Sequence, residues 1–381
     1  RSPRGPRALP IERGTAVAGP NYESVLEQIA MRGGRLIMLW PGVVAAAVQL
    51  GRGSYVALVT PMDAANAVDY GALRNLLEWH VASGTDGVVA LGTTGEASTL
   101  DAAERDRVLE TCVDACRGRV PVVAGTGAID TRAVVAMGRR AKALGADGTL
   151  VVTPYYVKPP QRALEAHFLA VAEAVDLPMV LYNVPGRTGV DLLPETVARL
   201  AAHPNVRGIK EATGDNGRVA ALRDACGGDL LLYSGEDAMG REFVELGGDG
   251  VISVTANVAP AAMARMLRAP AGAAARAIDD SLRPLHEKLF CQANPIPVKY
   301  ALHRARPRGN QVHGAFVLIS ARWRGHVGSS PLDGAPDTPV DFHAGARGLA
   351  TGIRPPLAPL EAEFHADIDA ALAAADAVAV K

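Results

Sequence analysis

Lys210 closes a short run, Val206-Arg207-Gly208-Ile209, that reads as a buried parallel strand. A lysine in that position loses solvation of its charge, which lowers its pKa toward a free amine able to attack a carbonyl carbon. Tyr182 closes a similar run, Met179 to Tyr182, and a phenol there can carry protons to and from an adduct if hydroxyl groups relay them. Thr93 and Tyr156 are candidates for that relay. The turn Gly92-Thr93-Thr94-Gly95 presents backbone N–H groups to an anion, because glycine allows close approach and a helix start follows. Arg187, in Pro185-Gly186-Arg187-Thr188-Gly189, offers a bidentate grip on a carboxylate. Each residue also has a plainer reading: a lysine snorkelling or paired with Glu211, tyrosines satisfied in a core, an ordinary turn, a surface arginine.

These residues need a scaffold that gathers strand ends. Short runs of Val, Leu and Ile alternate from Gly53 onward with amphipathic stretches of helical length, as in βα units. The strand candidates are 55–59, 87–91, 121–124, 148–152, 179–182, 206–210, 230–234 and 250–253. Gly84-Thr85-Asp86-Gly87, Gly145-Ala146-Asp147-Gly148 and Gly247-Gly248-Asp249-Gly250 repeat one helix-to-strand turn, in which the first glycine takes the left-handed closing position. Eight apolar strands at this spacing, with no glycine-rich dinucleotide turn after Val59-Thr60-Pro61, predict an α/β fold: a closed (β/α)8 TIM barrel with additional C-terminal helices. In such a barrel the reacting groups lie at the carboxyl ends of the strands, where Tyr155 and Gly235 join the residues above.

The expected organisation is an extension over 1–52 that need not pack, the barrel over 53–268, a helical region over 269–302, an atypical insert over 303–350 and a last helix over 351–381. Helix signals include Asp101 and Glu104 in capping-box spacing before 101–116, and Pro194 opening another helix. Residues 294–299 read as a loop. The extension and the insert are rich in Arg, Gly and Pro without a sustained period, which predicts disorder.

With 39 basic and 40 acidic residues the chain has no electrostatic footprint for nucleic acid or an anionic membrane, so small-molecule chemistry is the expectation. Four cysteines without a CxxC pair, nine histidines none of which joins the candidate set, and no HExxH motif leave no metal site to expect. Cys112 and Cys116 share an apolar stripe with Val108, Leu109 and Val113 and read as core. The apolar run 36–50 is broken by Pro41 and is too short to span a membrane. Read from Met31 it resembles a signal-peptide core, but it enters the first strand without a spacer, and a reducing cytoplasm is the expected compartment. A chain opening on Arg1 is expected to be a fragment, a processed product or an unusual start.

Six motifs in order, Gly92-Thr93-Thr94-Gly95-Glu96, Val152-Thr153-Pro154-Tyr155-Tyr156, Tyr182 to Gly189, Gly208-Ile209-Lys210-Glu211-Ala212-Thr213-Gly214, Gly250-Val251-Ile252-Ser253-Val254 and Asn294-Pro295-Ile296-Pro297-Val298-Lys299, resemble the dihydrodipicolinate synthase family of pyruvate-dependent aldolases. The resemblance runs from Gly53 to about Leu302 and resumes at Gly352-Ile353-Arg354-Pro355-Pro356, which is similar to the start of the family's last helix. It implies a lyase that condenses pyruvate with L-aspartate 4-semialdehyde in lysine and diaminopimelate biosynthesis, without a cofactor. By the same resemblance Lys210 forms the pyruvate imine, Tyr182 shuttles protons, and Thr93 and Tyr156 complete the relay, Tyr156 from a neighbouring subunit. Thr94, Gly235 and Ile252 bind substrate, and Arg187 holds the aldehyde's carboxylate. A homotetramer built as a dimer of dimers is implied. Lysine-sensitive relatives carry polar side chains where this chain has Ala102, Arg105, Ile129 and Ala133. The rival readings are an aldolase for sialic acid or a keto-deoxy sugar acid, and a barrel that binds pyruvate without turning it over. The segments 1–52 and 303–350 have no family counterpart, which leaves the docking of 358–379 open.

Overall fold

The structure is a computed structural model that describes residues 49–305, 349–350 and 352–379. Eight strands, β1 (Gly53–Ala57), β2 (Gly87–Ala90), β3 (Val122–Gly125), β4 (Gly148–Val152), β5 (Met179–Asn183), β6 (Val206–Glu211), β7 (Leu231–Ser234) and β8 (Gly250–Ser253), pair in sequence order as a closed barrel. Every pairing is parallel, and β1 closes on β8 through Ser54↔Val251 and Tyr55↔Ile252. Helices α1 (Tyr70–Ala82), α2 (Ala102–Cys116), α3 (Thr131–Ala143), α4 (Gln161–Ala174), α5 (Pro194–Ala201), α6 (Gly217–Cys226), α7 (Asp237–Glu245) and α8 (Pro260–Arg268) alternate with the strands. The (β/α)8 expectation holds, with strand ends moved by one or two residues.

Strand alternation sorts the core. Val180 and Tyr182 join Tyr55, Val89, Val123, Leu150, Tyr233 and Ile252 inside the barrel, while Leu181 and Ile209 face outward into the layer under the helices. Lys210, one residue past Ile209, therefore turns inward. The capping box of α2 forms as read: Asp101 accepts from Glu104 N at 2.8 Å, and Glu104 accepts from Asp101 N at 3.1 Å. Cys112 and Cys116 are buried on that helix, and burial pushes the Cys116 thiol up to about 12, so it packs rather than reacts.

The repeated turn locks the barrel floor. Gly84, Gly145 and Gly247 take φ of 82°, 89° and 110°. Each following aspartate accepts from the preceding strand at 2.8 Å: Asp86 from Ser54 N, Asp147 from Val122 N and Asp249 from Leu232 N. The end of the N-terminal extension also packs here, against the expectation that it need not. Tyr233 donates to Gly51 O at 2.6 Å, and Arg52 pairs with Asp249 at 3.0 Å. The rest of that extension and residues 306–348 of the insert lie outside the described residues, so the expected disorder falls outside them too.

Beyond the barrel lie α9 (Ala273–Lys288), α10 (Ile296–Arg304) and α11 (His365–Ala379). Two expectations are corrected here. Residues 296–299 are the first turn of α10 rather than loop, because Pro297 sits where no helical N–H is required. Gly352 to Pro356 does not begin the last helix: Pro355, Pro356 and Pro359 keep the chain irregular, and α11 starts at His365. The last helix is docked. Ile368, Ala371 and Ala375 are buried, Lys288 pairs with Asp367 at 2.6 Å and Arg304 with Asp369 at 2.8 Å, and Tyr300 stacks on His365 at 4.1 Å.

Candidate active site

β5 and β6 pair with Tyr182 opposite Lys210 and Asn183 opposite Glu211, so one register sets the whole centre. Facing inward, the Lys210 ammonium stands over the Tyr182 ring, 4.5 Å from its centroid. Both side chains are buried, Lys210 at 6% exposure and Tyr182 at 8%. Facing outward, the Glu211 carboxylate accepts from Asn183 Nδ2 at 3.2 Å and from Thr213 N at 2.9 Å, and Arg218 lies 3.4 Å away. Arg218 also reaches Asp191 at 2.8 Å. Burial pushes the Glu211 carboxyl up, against the charge of Arg218. This network ties β5 and β6 together immediately behind the inward pair.

Around Lys210 the backbone comes close. Gly235 N donates to Glu211 O at 2.7 Å, and a methyl group at Gly235 would lie 2.7 Å from Ala212 Cβ and 3.0 Å from Lys210 Cε, so a side chain there would crowd both. Ile252 is buried in the same interior cluster as Tyr182. Glu236, at the mouth end of β7, feels the charges of both Lys210 and Arg187, while burial pushes its carboxyl up. It occupies the N-cap position of α7 without capping it. Its side chain therefore remains available to a ligand between two cations. A nucleophilic amine, a phenol, a carboxylate and a guanidinium thus converge at the mouth, a set suited to imine chemistry on a keto acid.

The Dihydrodipicolinate synthetase family model matches residues 51–310. This chain belongs to that family. It is 57% identical over 254 residues to the 4-hydroxy-tetrahydrodipicolinate synthase of Alcanivorax borkumensis, an alignment covering 66% of this chain and 86% of the relative. Among solved structures it resembles the chloride-inhibited dihydrodipicolinate synthase of Acinetobacter baumannii complexed with pyruvate, with 42% identity and a TM-score of 0.74, covering 86% of this chain and 99% of that one. It also resembles the family member from Cyanidioschyzon merolae with lysine bound, with 33% identity and a TM-score of 0.69, covering 86% of this chain and 98% of that one.

Within the family motifs, the single chain does not gather every candidate. Thr94 is buried at 3%, and its hydroxyl accepts from Asn294 Nδ2 at 2.9 Å. Thr93 is exposed. Tyr156 is 85% exposed with φ of 71°, pointing to solvent rather than to Tyr182. Arg187 is exposed on the helical turn Pro185–Thr188 that follows β5. Glu236 and Asn294 were not among the sequence candidates. Glu236 could have been found as the carboxylate that directly follows Gly235, whereas Asn294 carries no local signal of its distant partner.

Proposed function

We propose that this chain condenses pyruvate with L-aspartate 4-semialdehyde through an imine on Lys210. The placement of the Lys210 amine over Tyr182, in a barrel of this family, carries the reading. The amine attacks the ketone carbon of pyruvate and water leaves, giving the imine. Loss of a methyl proton gives the enamine, whose carbon adds to the aldehyde. The second substrate's amino group then attacks the imine carbon, closing the ring and releasing the lysine amine. No cofactor is needed, because the imine itself accepts the electron pair.

Tyr182 carries the protons, with Thr93 and a neighbouring subunit's Tyr156 as relay. Thr94 and the backbone at Gly235 and Ile252 bind pyruvate, and Arg187 grips the carboxylate of the aldehyde. Glu236 gives that substrate's ammonium a counter-charge. The exposed patch of Ile129, Tyr155, Tyr156 and Val157 is the face that joins two subunits, and two such pairs form a tetramer. The enzyme works in the cytoplasm; among the described residues no helix is long and apolar enough to cross a membrane.

Borohydride reduction in the presence of pyruvate tests the central step. A reduced adduct on Lys210, located by peptide mass spectrometry, is expected. Labelling of a different lysine, or of none in folded protein, overturns the mechanism.

A further inference from the structure

The turn Gly92–Glu96 is held from outside the barrel, by residues far away in sequence. Glu96 is 2% exposed and sits in the left-handed region at φ 53°, an unfavourable place for a side chain that persists only when its surroundings impose it. The surroundings are specific. Lys299, on α10 and 5% exposed, donates to the Glu96 carboxylate and, at 2.7 Å, to Gly352 O. Arg354 N donates to the other Glu96 oxygen at 3.3 Å. The Arg354 side chain is fixed in turn by Glu104 at 2.6 Å, by Thr99 O at 2.9 Å and by Asn66 O at 2.9 Å. Gly352 runs so close to the β1–α1 loop that a methyl group there would meet Asp63 O at 2.1 Å. At the other end of the turn, Asn294 Nδ2 donates to Thr94 Oγ1.

We propose that Asn294, Lys299 and Arg354 are positioning residues for this turn, so that binding of the pyruvate carboxylate depends on the segment 352–354 being clasped against Glu96. None of the three needs to touch substrate. Asn294 leaves the Thr94 hydroxyl proton free by donating to its oxygen, and so aims that proton at an incoming carboxylate. Lys299 and Arg354 hold the backbone of the turn, in which Gly95 N and Glu96 N already donate to Gly92 O and Thr93 O at 3.1 Å, and so fix where the Thr94 hydroxyl stands. The segment that completes the clasp follows the insert in the sequence. This inference rests on pyruvate being the first substrate.

The test separates position from stability. Asn294→Ala is expected to raise KM for pyruvate about tenfold while KM for the aldehyde and the melting temperature change little. Lys299→Met strands a buried carboxylate and is expected to lower the melting temperature; adding Glu96→Gln removes that charge. In the double variant the melting temperature should recover while KM for pyruvate stays at least fivefold raised, which a merely structural role does not produce. Pyruvate KM within twofold of the unaltered protein, in both Asn294→Ala and the folded double variant, overturns the proposal. Saturating pyruvate with borohydride should still label Lys210 in each variant. Failure of that label in the unaltered protein overturns the reaction itself, and the clasp with it.

Discussion

At the floor of the barrel, Asp86, Asp147 and Asp249 each accept a backbone N–H at 2.8 Å, and Asp249 also binds Arg223 at 2.5 Å. At the mouth, the Glu236 side chain makes no cap bond to α7 although two cations act on its carboxylate, and Arg187 and Tyr156 face solvent. The same residue types are saturated at one end and left open at the other. Saturated groups fix register and strand closure, whereas open groups hold charge and hydrogen-bonding capacity ready for a ligand. The contrast predicts that substitutions at the two ends fail in different assays.

The largest effect lies at the mouth. Lys210→Met should remove the borohydride adduct and cut turnover by at least about a thousandfold, since the covalent route disappears, while unfolding free energy holds or rises. Asp249→Ala should do the opposite. It strands Leu232 N and takes the carboxylate away from Arg223, which keeps its bonds to Gly247 O and Leu230 O, costing about 2 kcal/mol of stability, with turnover per folded molecule unchanged. Denaturant titration beside single-turnover labelling makes the comparison; a fully active but unstable Lys210→Met protein would erase it. Arg187→Ala comes next. Loss of a charged carboxylate contact costs about 1.5 to 3 kcal/mol, so KM for the aldehyde should rise tenfold or more while pyruvate labelling is retained. Equal loss of both would take Arg187 out of the role assigned to it.

The floor was the more legible end. Its strands are uninterrupted apolar runs, and the glycine-aspartate-glycine turn recurs three times, so local patterning was enough to find eight strands. At the mouth, Lys210 and Tyr182 were legible because each is a polar residue ending an apolar run. Glu236 was passed over although it directly follows Gly235, because its link to Lys210 and Arg187 is made only in the fold. Thr93 and Tyr156 are exposed in the single chain, so its fold alone does not bring them to Tyr182. The clasp was hidden for a third reason. Asn294 and Lys299 lie about 200 residues from Thr94 and Glu96, and the prolines around them imitate a loop.

Acid sharpens the comparison at the floor. His80 on α1 is fully buried against Thr85 of a floor turn, with Nδ1 and Oγ1 3.0 Å apart, and burial pushes its pKa down to about 3. An unfolded histidine titrates near 6.5. Between those values the unfolded chain binds a proton that the folded chain refuses, so stability is complete above about pH 6.5 and falls as pH drops toward 3. The loss from this one group is about 2 kcal/mol at pH 5. His80→Asn, which keeps a partner for Thr85 without the titration, should flatten the pH dependence of urea unfolding by about that amount. An unchanged slope between pH 7.5 and 5 would remove His80 from the account.

The smallest expected effect is none at all, and it applies the distinction to a cation close to the mouth. Arg105 on α2 is half-buried, and Tyr155 lies near enough to act on it electrostatically. Its position matches one where lysine-sensitive relatives carry a polar residue, and a relative has been solved with lysine bound. Arg105 nevertheless resembles the floor. Its guanidinium donates to Ala97 O at 3.0 Å and to Gly125 O at 3.2 Å, and a further contact reaches Met137 Sδ at 3.2 Å. Burial pulls its pKa down, yet it stays charged at any working pH. A lysine ligand brings two ammonium groups that require acceptors or a carboxylate, because an unpaired charge is expensive to bury. Ala102, Ile129 and Ala133 supply neither, and Arg105 adds a like charge. Millimolar lysine should therefore leave turnover unchanged. Saturable inhibition by lysine, competitive with neither substrate, would show that a saturated cation can still line a binding site, and the distinction between the two ends would lose its predictive use.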